Sequence, residues 1–177
     1  MILYALRHGQ TDLNRDHILQ GNSIDEPLND VGLTEIKEVL KLLPDFEVII
    51  SSSHKRAVES AEIIGTFSGK QVVVSPYIQE RDFGTLVGKK WVEISNGQKL
   101  REIDRELEYD YSPYGGESVQ DVTERLYKFL SELKEINKEK VLVVTSRGII
   151  QLLYKIIENK KVIDIDNATV HTFNIPD

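Results

Sequence analysis

Five short runs dominated by β-branched and aliphatic residues, Ile2–Leu6, Val48–Ser51, Val72–Ser75, Val141–Thr145 and Val170–Ile175, constrain this chain more than any other feature. Near-continuous apolar runs of strand length belong to strands covered on both faces. Between them, apolar residues recur at helical spacing. Ile36, Val39, Leu40 and Leu43 form one stripe, with Thr34 read as its N-cap and Pro44 as its stop. Ala57, Ala61, Ile64 and Gly65 form a tighter one, and Val119, Val122, Leu126, Phe129, Leu130, Leu133 and Ile136 keep to a single face. Strands alternating with helices predict an α/β three-layer sandwich: a mostly parallel central sheet with helices on both faces. Sheets of this type place ligands at the carboxyl ends of their strands.

The rhythm breaks between about Arg81 and Gly116. Gly84, Gly88 and Gly97 are followed there by the charged run "KLREIDRELEYDY" and the turn "SPYGG". No strand with a core face is visible, so this stretch reads as a small helical cap inserted into a single domain of residues 1–177, a length suited to one core. Hydrophobic content of 40% and charged content of 29% fit a soluble globular protein, and no apolar run approaches the roughly 20 residues of a bilayer span. The chain enters a strand pattern at Ile2, without the layout of a secretory leader, and it has no cysteine. A cytoplasmic location is therefore expected, with no membrane partner. A formal net charge of −7 argues against nucleic-acid binding, and an anionic ligand would need a local positive pocket.

Chemistry-bearing residues collect at the strand ends. The first run leads into "LRHGQTDLN", which puts Arg7 and His8 on the ligand side, with a glycine for close turning and Asn14 as a further donor. Arg7 can grip a phosphate bidentately, and His8 is placed to attack phosphorus. The second leads into "SSSHKRAVESA", with Arg56 in the first turn of a helix, where a cation calls for a bound anion or an acidic neighbour. The third leads to Glu80 in "YIQERDFGTLVG", whose aromatic and apolar neighbours are expected to raise its pKa toward acid catalysis.

Taken together, "LRHGQTDLN", "LQG" with Gln20 and Gly21, "PLNDVGLTEI", "SSSHKRA", "ERDFGTLVGK", "GGES" and a late strand followed by glycine resemble the histidine phosphatase superfamily, also called phosphoglycerate mutase-like. The resemblance implies two-step phosphoryl transfer without metal or organic cofactor. His8 would form a phosphohistidine, while Arg7, Arg56 and Asn14 hold the phosphoryl oxygens and Glu80 moves the proton. Gln20, Gly21, Arg81 and Arg147 would complete the phosphate and substrate contacts. The partner implied is a phosphorylated small molecule or inorganic phosphate.

The late motif departs from the family pattern. Aligned on a strand ending in His-Gly, "VLVVTSRGII" puts Ser146 where the second catalytic histidine belongs and Arg147 after it. Serine carries no positive charge, and losing one preorganised donor costs about 10²- to 10³-fold in rate, so the chain reads as an impaired enzyme in which Arg147 restores part of the charge. Whether Ser146 is an engineered change or natural stays open, with a slight lean to the former. His54 in "SSSHKRA" also departs, either reaching the pocket rim or capping a helix. Trp91, Tyr109, Tyr111 and Tyr114 either line a substrate pocket or pack the cap. Asp12, Asp16 and His17 are poorly spaced for a metal, and His171 reads as structural. "LQG" favours the small phosphatase branch. Arg81 with Lys89 or Lys90 keeps a mutase as the alternative, and a catalytically silent phospho-ligand-binding protein is the third reading.

Overall fold

The structure, a computed structural model, describes residues 1–176. Each apolar run becomes a strand: β1 (Ile2–Arg7), β2 (Val48–Ser52), β3 (Val72–Ser75), β4 (Lys140–Thr145) and β5 (Val170–Asn174). They form one sheet in the order β3-β2-β4-β1-β5. All pairings are parallel except that of β5, which lies antiparallel along β1. Arg7 is opposite Thr145, and Ser51 is opposite Val144, so the chain leaves β1, β2 and β4 side by side at one end of the sheet.

Side-chain alternation explains why the central strands are apolar throughout. Tyr4, Leu6, Ile49, Leu142 and Val144 face Ile36 and Val39 of α2 (Asp30–Val39) and Ala57, Ala61 and Ile64 of α3 (Lys55–Ser68). Leu3, Ala5, Ile50, Val141 and Val143 face the other way. They meet the long stripe of α5 (Val119–Glu135) and Ile149, Ile150, Leu152 and Leu153 of α6 (Arg147–Glu158). The predicted three-layer arrangement is the one observed.

Helix α2 begins earlier than its apolar stripe. Asn29, not Thr34, is the N-cap, and its side chain accepts from the Gly32 amide at 2.9 Å. Thr34 lies inside the helix and donates to the Asp30 carbonyl at 2.9 Å, a back-bond that a mid-helix threonine makes readily. The early start brings the first turn against the loop after β1. A Cβ at Gly32 would stand 2.2 Å from the Gln10 carbonyl oxygen, so no larger residue fits there.

Between β3 and α5 the described residues form only short turns, the helix α4 (Gly97–Arg105) and an isolated bridge between Asp110 and Ser118. The charged run is thus helical only to Arg105. Leu107 turns to φ 54°, a left-handed conformation that costs about 1 kcal/mol for a leucine, and it is buried in return. Phe83, Leu86, Leu107, Tyr109 and Tyr111 join the apolar cluster of α5 and α6, so the cap shares its core with the sheet. Among the described residues no helix is long and apolar enough to cross a membrane.

Candidate active site

The ends of β1, β2 and β4 open into a cavity of about 900 Å³ walled on its far side by the cap. His8, Arg7, Asn14, Gln20, Gly21, Arg56, Glu80, Arg81 and Arg147 all line it. Eight Lys and Arg against five Asp and Glu border this space, a surplus of three positive charges in a chain of formal charge −7. This is the local positive pocket that an anionic ligand requires.

His8 is 3% exposed and held from several sides. Its amide donates to Thr145 O at 3.0 Å, and its carbonyl accepts from Asn167 Nδ2 at 2.9 Å. The ring Nδ1 lies 2.8 Å from Gly9 O, an acceptor only, so Nδ1 carries the proton and Nε2 the lone pair. Burial, reinforced by Arg56 and Arg7, holds the imidazole well below its usual pKa. It is neutral at pH 7 and free to act as a nucleophile through Nε2.

The two arginines arrive differently. Arg7 donates to Ile165 O at 2.6 Å, and burial together with nearby Arg147 lowers it to about 10. Arg56 is 1% exposed and reaches back to the carbonyls of Gly21 and Ile24 at 2.8 and 3.0 Å. Those carbonyls accept hydrogen bonds from the cation in the first turn of α3, while Glu80, Asp25 and Glu26 supply negative charge at longer range. Gly21 is at φ 57°, and a Cβ there would press on Arg81 O and the Phe83 ring at 3.0 Å, so the carbonyl that orients Arg56 depends on glycine. Asn14 lies in the one-turn helix α1 (Asp12–Arg15), where its Oδ1 takes the Thr11 amide at 3.2 Å and Asn167 Nδ2 at 3.3 Å. Its Nδ2 is left as the donor. Gln20 is buried and donates to Thr11 Oγ1 at 2.7 Å.

Glu80 reverses an expectation. Burial alone would raise it, but Arg81, Arg147 and the amides of Arg81 and Gly148 outweigh burial and hold it down to about 2. Oε1 accepts from the Arg81 amide at 2.9 Å and from Arg81 Nη1 at 3.3 Å, while Oε2 accepts from the Gly148 amide at 3.3 Å. The aromatic neighbours in the sequence do not surround the carboxylate; cations and donors do. Arg81 lines the cavity as well. It is 1% exposed, and both terminal nitrogens engage carboxylates of the chain, Nη2 on Asp104 at 2.7 Å and Nη1 on Glu80.

Ser146 occupies the N-cap position of α6 but makes no capping bond, and its Oγ, in a residue 2% exposed, has no partner among the described residues. It does not line the cavity, whereas the exposed Arg147 does. His54 neither reaches the cavity nor caps α3 with its side chain; it is buried with Nε2 3.1 Å from Asn22 O. Trp91 lines the cavity, while Tyr109 and Tyr111 stack at 5.2 Å inside the cap. His171 contacts Tyr154 OH and Thr169 Oγ1 at 2.9 and 3.0 Å, away from the cavity. Sequence reading missed Asn167, Asp104 and the strap of Arg125. Arg125 is paired with Glu117 at 2.9 Å and donates to the carbonyls of Tyr77 and Glu80 at 2.8 and 3.3 Å. Only the flanking "GGES" hinted at this strap.

A family model described as the histidine phosphatase superfamily (branch 1) matches residues 3–176. Fructose-2,6-bisphosphatase TIGAR B of Danio rerio is 35% identical over 147 residues, covering 75% of this chain; the match spans only 54% of that longer protein. Metal-independent phosphoserine phosphatase of Arabidopsis thaliana is 30% identical over 188 residues, 99% of this chain and 76% of its own length. Phosphoglycerate mutase-like protein 4 of the same plant is 32% identical over 186 residues, 99% and 80% of the two chains. Among solved structures, the phosphoglycerate mutase of Thermus thermophilus superposes with a TM-score of 0.80 at 25% identity, covering 99% of this chain and 94% of the other.

Proposed function

The chain belongs to the histidine phosphatase superfamily, and on that premise we propose that it is a metal-independent phosphomonoesterase acting on a small phosphorylated metabolite through a phosphohistidine on His8. The observation that carries this reading is the neutral, Nδ1-anchored His8 set between Arg7 and Arg56 in a positively charged cavity. Nε2 attacks phosphorus in line with the ester oxygen, and the P–O bond breaks as the N–P bond forms. Arg7, Arg56 and the Asn14 amide meet the equatorial oxygens, the positioning and charge stabilisation that phosphoryl transfer chiefly demands. Glu80 delivers a proton to the leaving oxygen, then takes one from the water that attacks the phosphohistidine. Glu80 is ionised in the free protein, so its proton arrives with the substrate, whose phosphate monoanion carries one; the adjoining negative phosphoryl group favours its capture by the carboxylate.

Ser146 removes one charged donor from this arrangement, and Arg147, unpaired among the described residues, supplies a cation from the next position. Arg101, Arg105 and Lys90 at the cap wall are likewise without carboxylate partners and favour an ester bearing a second anionic group. The commitment of Arg81 to Asp104 and Glu80 weighs for a phosphatase over a mutase, which would use that arginine on substrate.

The test is hydrolysis of p-nitrophenyl phosphate, without added metal, by the wild type and by Ser146→His. A gain of about 10²-fold or more in kcat is expected from restoring the donor. No gain, with phosphate still raising the melting temperature of the wild type and His8→Ala but not of Arg7→Ala, would identify a phospho-ligand-binding protein instead.

A further inference from the structure

Glu80 is joined to the cap by a buried chain of charged groups that the phosphatase reading leaves unexplained. The guanidinium carbon of Arg81 lies 5.0 Å from the centroid of the Phe83 ring and 4.9 Å from that of Tyr109. Two carboxylates compete for this one cation: Asp104 Oδ2 at 2.7 Å and Glu80 Oε1 at 3.3 Å. Tyr111 OH donates to the other oxygen of Asp104 at 2.7 Å and fixes it in place. Arg81 therefore sits close to Asp104 and loosely on Glu80. Asp104 stands in the last turn of α4, the helix whose Arg101 and Arg105 line the cavity.

We propose that Asp104 is a positioning residue for the catalytic acid: by holding Arg81, it keeps the guanidinium from closing onto Glu80 and leaves that carboxylate able to carry the proton for the leaving group. The proposal rests on the phosphatase reading above. Without the Asp104 charge, the Arg81 fork has Glu80 as its sole carboxylate partner and tightens on it. A carboxylate in a tighter ion pair binds a proton less readily and is a poorer general acid. The balance of the step is unchanged: Glu80 gives its proton to the ester oxygen as the P–O bond breaks and the His8 N–P bond forms.

The leaving group separates this role from a merely structural one. p-Nitrophenolate departs with little help from an acid, whereas an alkoxide needs the proton. In Asp104→Asn, kcat for glycerol phosphate is expected to fall about 10-fold further than kcat for p-nitrophenyl phosphate, a fraction of what a general acid contributes, with KM for either ester nearly unchanged. Tyr111→Phe, which keeps the ion pair and the ring stack, should show the same selectivity in smaller measure, and it serves if Asp104→Asn does not fold. Glu80→Gln sets the full size of the effect. The measurements are made in the wild type and in Ser146→His. Equal losses on both esters in Asp104→Asn and Tyr111→Phe would overturn the proposal alone, leaving the phosphatase reading intact. No turnover of either ester in either background would overturn both.

Discussion

Gly148→Ala probes the packing of the acid and its cation against α6. A Cβ at this position would stand 1.9 Å from Arg81 Nη1 and 2.4 Å from Glu80 Oε1. Ordinary contact begins at 3.4 Å, so the guanidinium would have to retreat by about 1.5 Å. It has little room to do so. Arg81 is buried, and a shift of that size stretches the 2.7 Å bond to Asp104 and breaks the 3.3 Å contact with Glu80. Overpacking of this kind costs about 1–3 kcal/mol. Replacing glycine in a helix returns up to about 1 kcal/mol, and less in a first turn. The net expectation is a destabilisation of about 1–2 kcal/mol, which for a chain of this length lowers the melting temperature by roughly 2–8 °C. Urea unfolding at pH 7 measures the first figure and thermal unfolding the second, with kcat for an alkyl phosphate expected to fall in parallel. An alanine variant as stable as the wild type would show that the Arg81–Glu80 pair is mobile and would refute the reasoning from these contacts.

Acid should weaken the fold over two ranges of pH. The Glu80 carboxyl is held to about 2 against an ordinary 4.5, so the unfolded chain takes up that proton first. The resulting stability, up to about 3 kcal/mol, is present above pH 5 and is lost as the pH falls toward 2. His8 is likewise held below its ordinary value, so stability already declines as the pH drops through 6.5. Unfolding midpoints in urea at pH 7, 5 and 3 should fall at each step, and His8→Gln should flatten the first; a constant midpoint would contradict both assignments. Changing Arg101 and Arg105 together to glutamine should raise KM about 10-fold for an ester with a second phosphate or carboxylate and leave that for p-nitrophenyl phosphate within about twofold, since charge-assisted contacts contribute roughly 1.5–3 kcal/mol. Equal effects on the two substrates would remove the cap arginines from recognition.

All five runs became strands within a residue or so; the central three are covered on both faces as expected, whereas the edge strand β3 leaves Val73 and Val74 exposed and was legible from its β-branched residues alone. The start of α2 was not, because Asn29 and Thr34 are both competent caps, and only the approach of Gly32 to the loop after β1 decides between them. At the site, the positions of Arg7, His8, Arg56 and Glu80 followed from strand ends. The environment of Glu80 did not, because its burial is outweighed by the charge and amide of its neighbour Arg81 folding back and by Arg147 arriving from another strand end. Arg81 was read as a substrate ligand because its partner Asp104 lies in the cap, 23 residues away, and no local pattern links the two.

The place of β1 in the sheet has a consequence for the order in which a ribosome makes this protein. The first strand is flanked by β4 and β5, both from the last third of the chain, and the His8 carbonyl is held by Asn167, 159 residues later. A nascent chain therefore carries Arg7 and His8 through the synthesis of more than 130 further residues before either flanking strand is complete. Contacts closed over so long a separation form late and slowly. Arg7 and His8 are made before the strands that flank them and wait for both, so the cavity they line closes only once β4 and β5 have docked.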